Sequence, residues 1–321
     1  MLLEYKDLVD LQLQKIIKDN PKLTIYEPIK YIVNLGGKRF RSSLALLSAD
    51  IFCGNPSLVI NEATAIELFH NFTLIHDDIM DEAPLRRGQT AVHKKWDTNT
   101  AILSGDLLYA LVNKMLASSP VQSSEIHYLF QKTALEVCEG QSMDMAFENQ
   151  ADVSQSDYLE MIKLKTAVLV GCALKIGAIV GGASEKNAQM LYDFGINLGI
   201  AFQIHDDILD VFPTKEVFGK QIGGDIIEKK KTILLIDLLE KSTNDEKFSL
   251  FKIIDSKNFS DSLKVDKIKE MYKIKNVLET AEKKKIFYFK KALHNIQELE
   301  IDLSRKNQLN EFAKNLMSRM Y

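Results

Sequence analysis

Apolar residues recur at spacings of three and four along almost the whole chain, as in Leu44, Leu47 and Ile51 and in the run from Leu58 to Phe69. That period sets one face of a helix against a core, and no segment shows the convincing alternation of a strand. Six Pro and fifteen Gly among 321 residues fall well below the roughly 12% of average usage, so turns are scarce and helices long. The expectation is an all-α protein. No Pro/Gly/Ser-rich linker divides the chain, which predicts one domain over 1–321. Residues 1–20 alternate apolar and charged positions at helical spacing and lack the unbroken apolar region of a signal peptide, so they predict an amphipathic helix. The most apolar stretch, 167–182, is interrupted by Lys175 and falls short of the about 20 residues a membrane span needs; it predicts a buried core helix. Asp157 with Glu160 resembles a capping box that opens a helix at Tyr158. The lysine runs 283–285 and 290–291 predict solvated helix faces.

Composition narrows the function classes. A net charge of -3 gives no global field for nucleic acid or an anionic membrane, so any anionic ligand has to be held by local clusters. Cys53, Cys138 and Cys172 are odd in number and sit among apolar residues, which predicts buried free thiols in a reducing compartment, the cytoplasm. A disulfide framework or a zinc site would need other spacings.

One heptapeptide occurs twice. Residues 75–81 read IHDDIMD and residues 204–210 read IHDDILD, identical at six of seven positions. A single DDxxD is as a rule an exposed acidic face, but two copies with matched helical flanks point to two equivalent sites on two helices that face each other. Asp77 and Asp81 share a helix stripe one turn apart, as do Asp206 and Asp210. Carboxylates brought together in this way repel unless a multivalent cation neutralises them, and hard oxygen ligands select Mg²⁺ or Mn²⁺. Magnesium usually takes one or two carboxylates and fills its remaining positions with water and phosphate oxygens. Cations suited to phosphate cluster nearby in sequence: Lys38, Arg39 and Arg41 in GGKRFR, Arg86 and Arg87 after the first acidic motif, Lys165, Lys220, and Lys229 to Lys231. Pro84 is expected to end the first acidic helix and leave Arg86 and Arg87 on a loop free to swing toward a ligand. Together these describe a diphosphate clamp.

The ordered set GGKRFR (36–41), HNFTLIHDDIMD (70–81), LRRG (85–88), GQSMD (140–144), KT (165–166), FQIHDDILD (202–210) and GKQIGGDIIEKKKT (219–232) resembles the polyprenyl synthetase family, the trans-isoprenyl diphosphate synthases, over nearly the whole chain. The resemblance implies the isoprenoid synthase fold, a helical bundle around a deep central cavity with the aspartate motifs facing across its mouth, and a homodimer. It implies a transferase that condenses isopentenyl diphosphate with an allylic diphosphate (dimethylallyl, geranyl or farnesyl). Asp77, Asp81 and Asp206 would bind three Mg²⁺, with Mn²⁺ as a substitute, while Asp78, Asp207 and Asp210 act mainly through water. Arg86, Lys165, Lys220 and Lys230 would hold the allylic diphosphate. Lys38, Arg41, His70 and Arg87 would hold isopentenyl diphosphate. Thr166 and Gln203 would offer oxygen dipoles to the developing carbocation, with Gln141 and Asp144 in support. His76 and His205 are expected to form structural hydrogen bonds. Water has to be kept from the cation, so closure by the 86–90 loop and the C-terminal segment is expected.

Product length should follow from residues below the first motif, because one helical turn of about 5.4 Å roughly matches one isoprene unit. Phe72, five before Asp77, with Phe69 and Thr73 and no insertion in DDIMD, resembles short-chain enzymes and predicts C15 to C20, with C20 favoured. One departure stands out: Lys229 replaces the glycine usual before Lys230. A terpene cyclase of the same fold or a non-catalytic regulatory subunit are the rival readings. The first would lack GGKRFR and the second would be expected to lose aspartates.

Overall fold

Helix follows helix, as the three-and-four spacing requires. The computed structural model of the protein describes residues 2–19, 23–148, 150, 152–213 and 222–318. In chain order these form α1 (Leu2–Asp19), α2 (Tyr26–Asn34), α3 (Phe40–Cys53), α4 (Ile60–Met80), a hairpin of β1 (Leu85–Arg86) and β2 (Gln89–Thr90), α5 (Val92–Lys95), α6 (Thr98–Ala117), α7 (Ser123–Glu148) and α8 (Gln155–Ile162). There follow α9 (Val168–Val180), α10 (Glu185–Val211), α11 (Gly224–Ile227), α12 (Ile233–Lys241), α13 (Asn244–Ile254), α14 (Asp261–Ile274), α15 (Val277–Glu298) and α16 (Leu303–Ser318). A π-helical turn, Lys163–Ala167, joins α8 to α9. Two compact units result, one of residues 1–132 with 172–192 and the other of residues 133–171 with 193–321. No described helix is long and apolar enough to cross a membrane.

In the first unit α4 lies along α6, with α3 beside it. The approach is close at Gly105, where any side chain would overlap the His76 ring. Phe69, fully buried, packs edge-on to Phe130 at 5.0 Å and beside Phe72 at 5.5 Å. The Ser48 hydroxyl donates to the Leu174 carbonyl at 2.7 Å and ties α3 to α9. Lys175, the one charge in the apolar run, reaches Glu185 at 2.9 Å and so keeps a partner without breaking the buried face.

In the second unit Ile200, Ile204 and Ile208, one turn apart on α10, meet Met161, Leu234, Leu238, Leu250, Ile268 and Tyr272 in one core. Several of its helices carry side-chain caps: Thr243 and Glu246 form a capping box on α13, and Ser260 caps α14.

Three local expectations change. The capping box of α8 is Ser154 with Asp157, and the helix opens at Gln155, because a serine hydroxyl and a carboxylate three residues on satisfy both free N–H groups. Only Cys172 is buried; Cys53 and Cys138 fall on outward positions and are exposed, all three as free thiols. Lys285 is not solvated, since its ammonium lies 3.3 Å from Nδ1 of His205 and pairs with Glu282, while Lys284 donates to Gln155.

Candidate active site

The first acidic motif closes α4. Asp77 and Asp81 are one turn apart, and the Asp81 amide donates to the Asp77 carbonyl at 2.8 Å. The helix ends at Met80, before Pro84, and Glu82 turns the chain at φ +49°. Arg86 lies on a hairpin strand, opposite Gln89, rather than on a free loop. It is ion-paired with Asp78, whose fully buried Oδ1 accepts from Nε at 2.9 Å. Burial pushes the Asp78 carboxyl up, and the Arg86 guanidinium opposes this. Oδ2 of Asp78 meets no donor among the described residues.

Beside this motif the first unit gathers arginines. Arg41 approaches Nε2 of His70 at 3.3 Å, and Arg87 donates to the Gly36 carbonyl. The Arg87 guanidinium lies where a side chain on Gly37 would stand, and Gly37 holds φ +140°, so the glycine pair is a physical requirement. Burial lowers the His70 pKa well below the usual imidazole value, and Arg41, Arg87, Arg86 and Arg39 lower it further. Lys38, which precedes Arg39 in the chain, is exposed. Arg39 differs from its neighbours: it is buried, bonded to Asp10 at 2.8 Å, Glu67 at 3.1 Å and the Val33 carbonyl at 2.8 Å, and serves to anchor α3. Sequence reading missed Glu67 and Asp10, which gave no signal beyond an acid on an apolar helix face. Phe72 also contacts Tyr109 at 5.5 Å and His76 at 4.7 Å, and Thr73 donates to the His70 carbonyl at 2.9 Å. Nε2 of His76 lies 3.3 Å from the Ile102 carbonyl.

The second acidic motif closes α10 and opens on a cavity of about 280 Å³ within the second unit. Asp206, Asp207, Asp210 and Asp225 line it with Asp144, Lys165, Lys230 and Lys231, and Thr166 and Gln203 stand on its wall. Lys165 and Thr166 come from the π-helical turn, a widening of the helix often found at functional positions. Gly140 makes room for that turn, because a side chain there would strike the Lys165 backbone. Lys165 pairs with Asp144 at 2.5 Å. The Asp225 amide donates to Asp210 at 3.1 Å. Gln141 is nearly buried on α7. Lys220 lies outside the described residues.

Electrostatically the cavity is strained by its own acids. Burial, together with the charge of Asp206, pushes Asp207 up to about 7 against hydrogen bonds from Tyr158 and Gln203. Burial and then Asp207 and Asp210 push Asp225 up to about 8. A divalent cation would relieve that repulsion, so the donor set fits magnesium. Among the described residues no three of His, Cys, Asp and Glu converge into a metal cage by themselves. Tyr158 and Asp225 were not foreseen as site residues, although Asp225 lies in the GGDIIE segment. Lys231 was read only as part of a lysine cluster.

Residues 22–274 match the polyprenyl synthetase family. A geranylgeranyl diphosphate synthase of Methanosarcina mazei is 43% identical over 236 residues, 73% of each chain. A geranylgeranyl pyrophosphate synthase of Geoglobus acetivorans is 37% identical over 315 residues, 97% of this chain and 96% of that one. A solved structure of a geranylgeranyl pyrophosphate synthase superposes with a TM-score of 0.93 at 42% identity, covering 99% of both chains.

Proposed function

Because the chain belongs to the polyprenyl synthetase family, we propose that it condenses isopentenyl diphosphate with an allylic diphosphate, head to tail and trans, to give a C15 to C20 product with geranylgeranyl diphosphate favoured. The observation that carries this is the acid-lined cavity of the second unit, where Lys165, Thr166 and Gln203 share a wall with Asp206 and Asp210. The enzyme is a prenyltransferase with the all-α isoprenoid synthase fold. The family match runs across both compact units, which supports reading 1–321 as one polyprenyl synthetase domain.

Asp77, Asp81 and Asp206 are the proposed direct magnesium ligands, with Asp210, which accepts from the Asp225 amide, reaching the ions mainly through water. Asp78 and Asp207 act from behind, since Arg86 holds the one and Tyr158 and Gln203 hold the other. Bound magnesium, about three ions, supplies Lewis-acid neutralisation of a leaving diphosphate. Lys165 and Lys230, with Arg86 and Lys220, hold the allylic diphosphate; Lys38, Arg41, His70 and Arg87 hold isopentenyl diphosphate. His70, whose Nε2 lies 3.3 Å from Arg41, adds a hydrogen-bonding edge beside that guanidinium. Thr166 and Gln203 turn oxygens toward positive charge developing on the allylic carbons, a dipole set in place before the reaction. Phe69, Phe72 and Thr73 are the proposed floor that sets product length, and Phe69 and Phe72 pack with each other, Phe69 also with Tyr109. A homodimer in the cytoplasm completes the reading.

Incubation with isopentenyl diphosphate and each of the C5, C10 and C15 allylic diphosphates, with product sizing, tests it. Products up to C20 are expected. Loss of diphosphate from the allylic substrate without isopentenyl incorporation would instead mark a cyclase.

A further inference from the structure

Four side chains of the second unit form a hydrogen-bond relay that crosses twice between α10 and the run from α8 through the π-helical turn. The Tyr158 hydroxyl donates to Oδ2 of Asp207 at 2.5 Å, and Nε2 of Gln203 donates to Oδ1 of the same carboxylate at 3.0 Å. The Thr166 hydroxyl then donates to Oε1 of Gln203 at 3.2 Å. Tyr158 is 1% exposed and Asp207 5%, so water does not compete for the bond between them, while the bonds of Gln203 are part-buried at the cavity wall.

A primary amide has an acceptor end and a donor end of nearly the same shape, and its neighbours decide which way it points. A carboxylate that already receives Tyr158 on one oxygen presents the other as a fixed acceptor. The Gln203 nitrogen therefore faces Asp207, and its oxygen faces Thr166 and the cavity. The two middle members sit one turn apart on α10, Gln203 before Asp207, so the bond between them is built into the helix. The outer members are supplied by the other element. The opposite setting would aim N–H groups, the positive end of the amide, at the cavity.

We propose that Tyr158 is a positioning residue for prenyl transfer: by holding the Asp207 carboxylate it fixes the Gln203 amide with its oxygen toward the reacting carbons. This rests on the reading of Thr166 and Gln203 as dipoles facing developing positive charge. Tyr158 itself makes no contribution to substrate affinity, since its hydroxyl is committed to Asp207.

Tyr158→Phe removes one hydroxyl and leaves the ring packing. The full-length enzyme carrying it should lose about tenfold in kcat, the worth of one charge-assisted hydrogen bond, with KM for both substrates and the half-activating magnesium concentration unchanged. In a Gln203→Leu background the same substitution should cost nothing further. Asp207→Asn, equal in size but offering Gln203 a donor, is the second probe; its kcat loss should be at least as large and again absorbed by Gln203→Leu. Circular dichroism and thermal midpoints establish that the variants compared are folded. Equal losses from Tyr158→Phe with and without Gln203, a raised magnesium requirement, or a rise in KM in place of the fall in kcat would each overturn the relay. A wild-type enzyme that condenses its substrates beside a fully active Tyr158→Phe sinks the relay alone, whereas a wild-type enzyme that does not condense them sinks the function first.

Discussion

Lys229 stands at φ +60°, in the left-handed region where a side chain costs about 1 kcal/mol and glycine costs little. That is a physical reason for glycine at this place in similar sequences, and this chain carries a lysine there whose ammonium reaches Asp255. Both partners are more than half exposed, so the pair offsets little of the strain. Lys229→Gly is expected to hold or slightly raise stability, whereas β-branched Lys229→Val should fall below it by about 2 kcal/mol, as read from urea melts. Lys230 keeps its place on the cavity wall in either case, so turnover by Lys229→Gly should match wild type. Phe72 is the other residue that tests a specific role. Half-buried between Phe69 and Tyr109, it occupies the space one turn and a residue behind Asp77. Phe72→Ala should lengthen the product by at least one isoprene unit in product sizing; an unchanged C15 to C20 spectrum would remove it from any role in chain length.

At the scale of elements, the π-helical turn Lys163–Ala167 does the most with the least sequence. It is pressed from two sides by glycines: Gly140 of α7 against the Lys165 backbone and Gly199 of α10 against Ala167. Any side chain at either point forces a wide turn to move, and overpacking of this sort typically costs 1–3 kcal/mol. Gly140→Ala is therefore expected to displace Lys165 and Thr166 together, lowering kcat by more than tenfold while the far-ultraviolet circular dichroism remains that of a helical protein. Retention of full activity would mean that the turn tolerates displacement. The helical pattern was legible in the spacing of apolar residues, both acidic motifs were legible as helical, and the end of the first helix was legible in Pro84. The π-turn was not, because widening a helix by one residue changes no spacing that KLKTA displays on its own. The Arg86 hairpin was missed for a similar reason: two residues per strand are too few to show alternation, and its pairing partner is known only once the Arg87 and Gly88 turn closes with both residues at positive φ.

For the molecule as a whole, the buried acids set a dependence on pH and on metal. With Asp207 pushed up to about 7 and Asp225 to about 8, the folded chain binds more protons than the unfolded one between the ordinary carboxylate range, near pH 4, and about pH 8. Stability of the metal-free protein therefore falls as pH rises through that window. His70, with its pKa lowered by burial, acts in the opposite sense below about pH 6.5, where only the unfolded chain takes up that proton. The carboxylates are thus seen alone between about pH 6.5 and 8. In chelator the thermal midpoint should drop across that interval, and magnesium with inorganic diphosphate should restore it most at pH 8. A midpoint that rises with pH in chelator would remove the crowded-acid account of the cavity.

From residue order alone came the helical class, the two acidic helical motifs, the cationic segments around them and the family they resemble, because helix period and motif order are properties of the chain read in line. Tertiary structure alone decided which like residues do unlike work. Arg39 is consumed by Glu67 and Asp10 while Arg41, two residues on, meets His70, and of the two cavity acids Asp206 and Asp207 it is Asp207 that Tyr158 holds. Neighbouring side chains on a helix point about 100° apart, so each role depends on what the rest of the fold brings to that side, which no local pattern records.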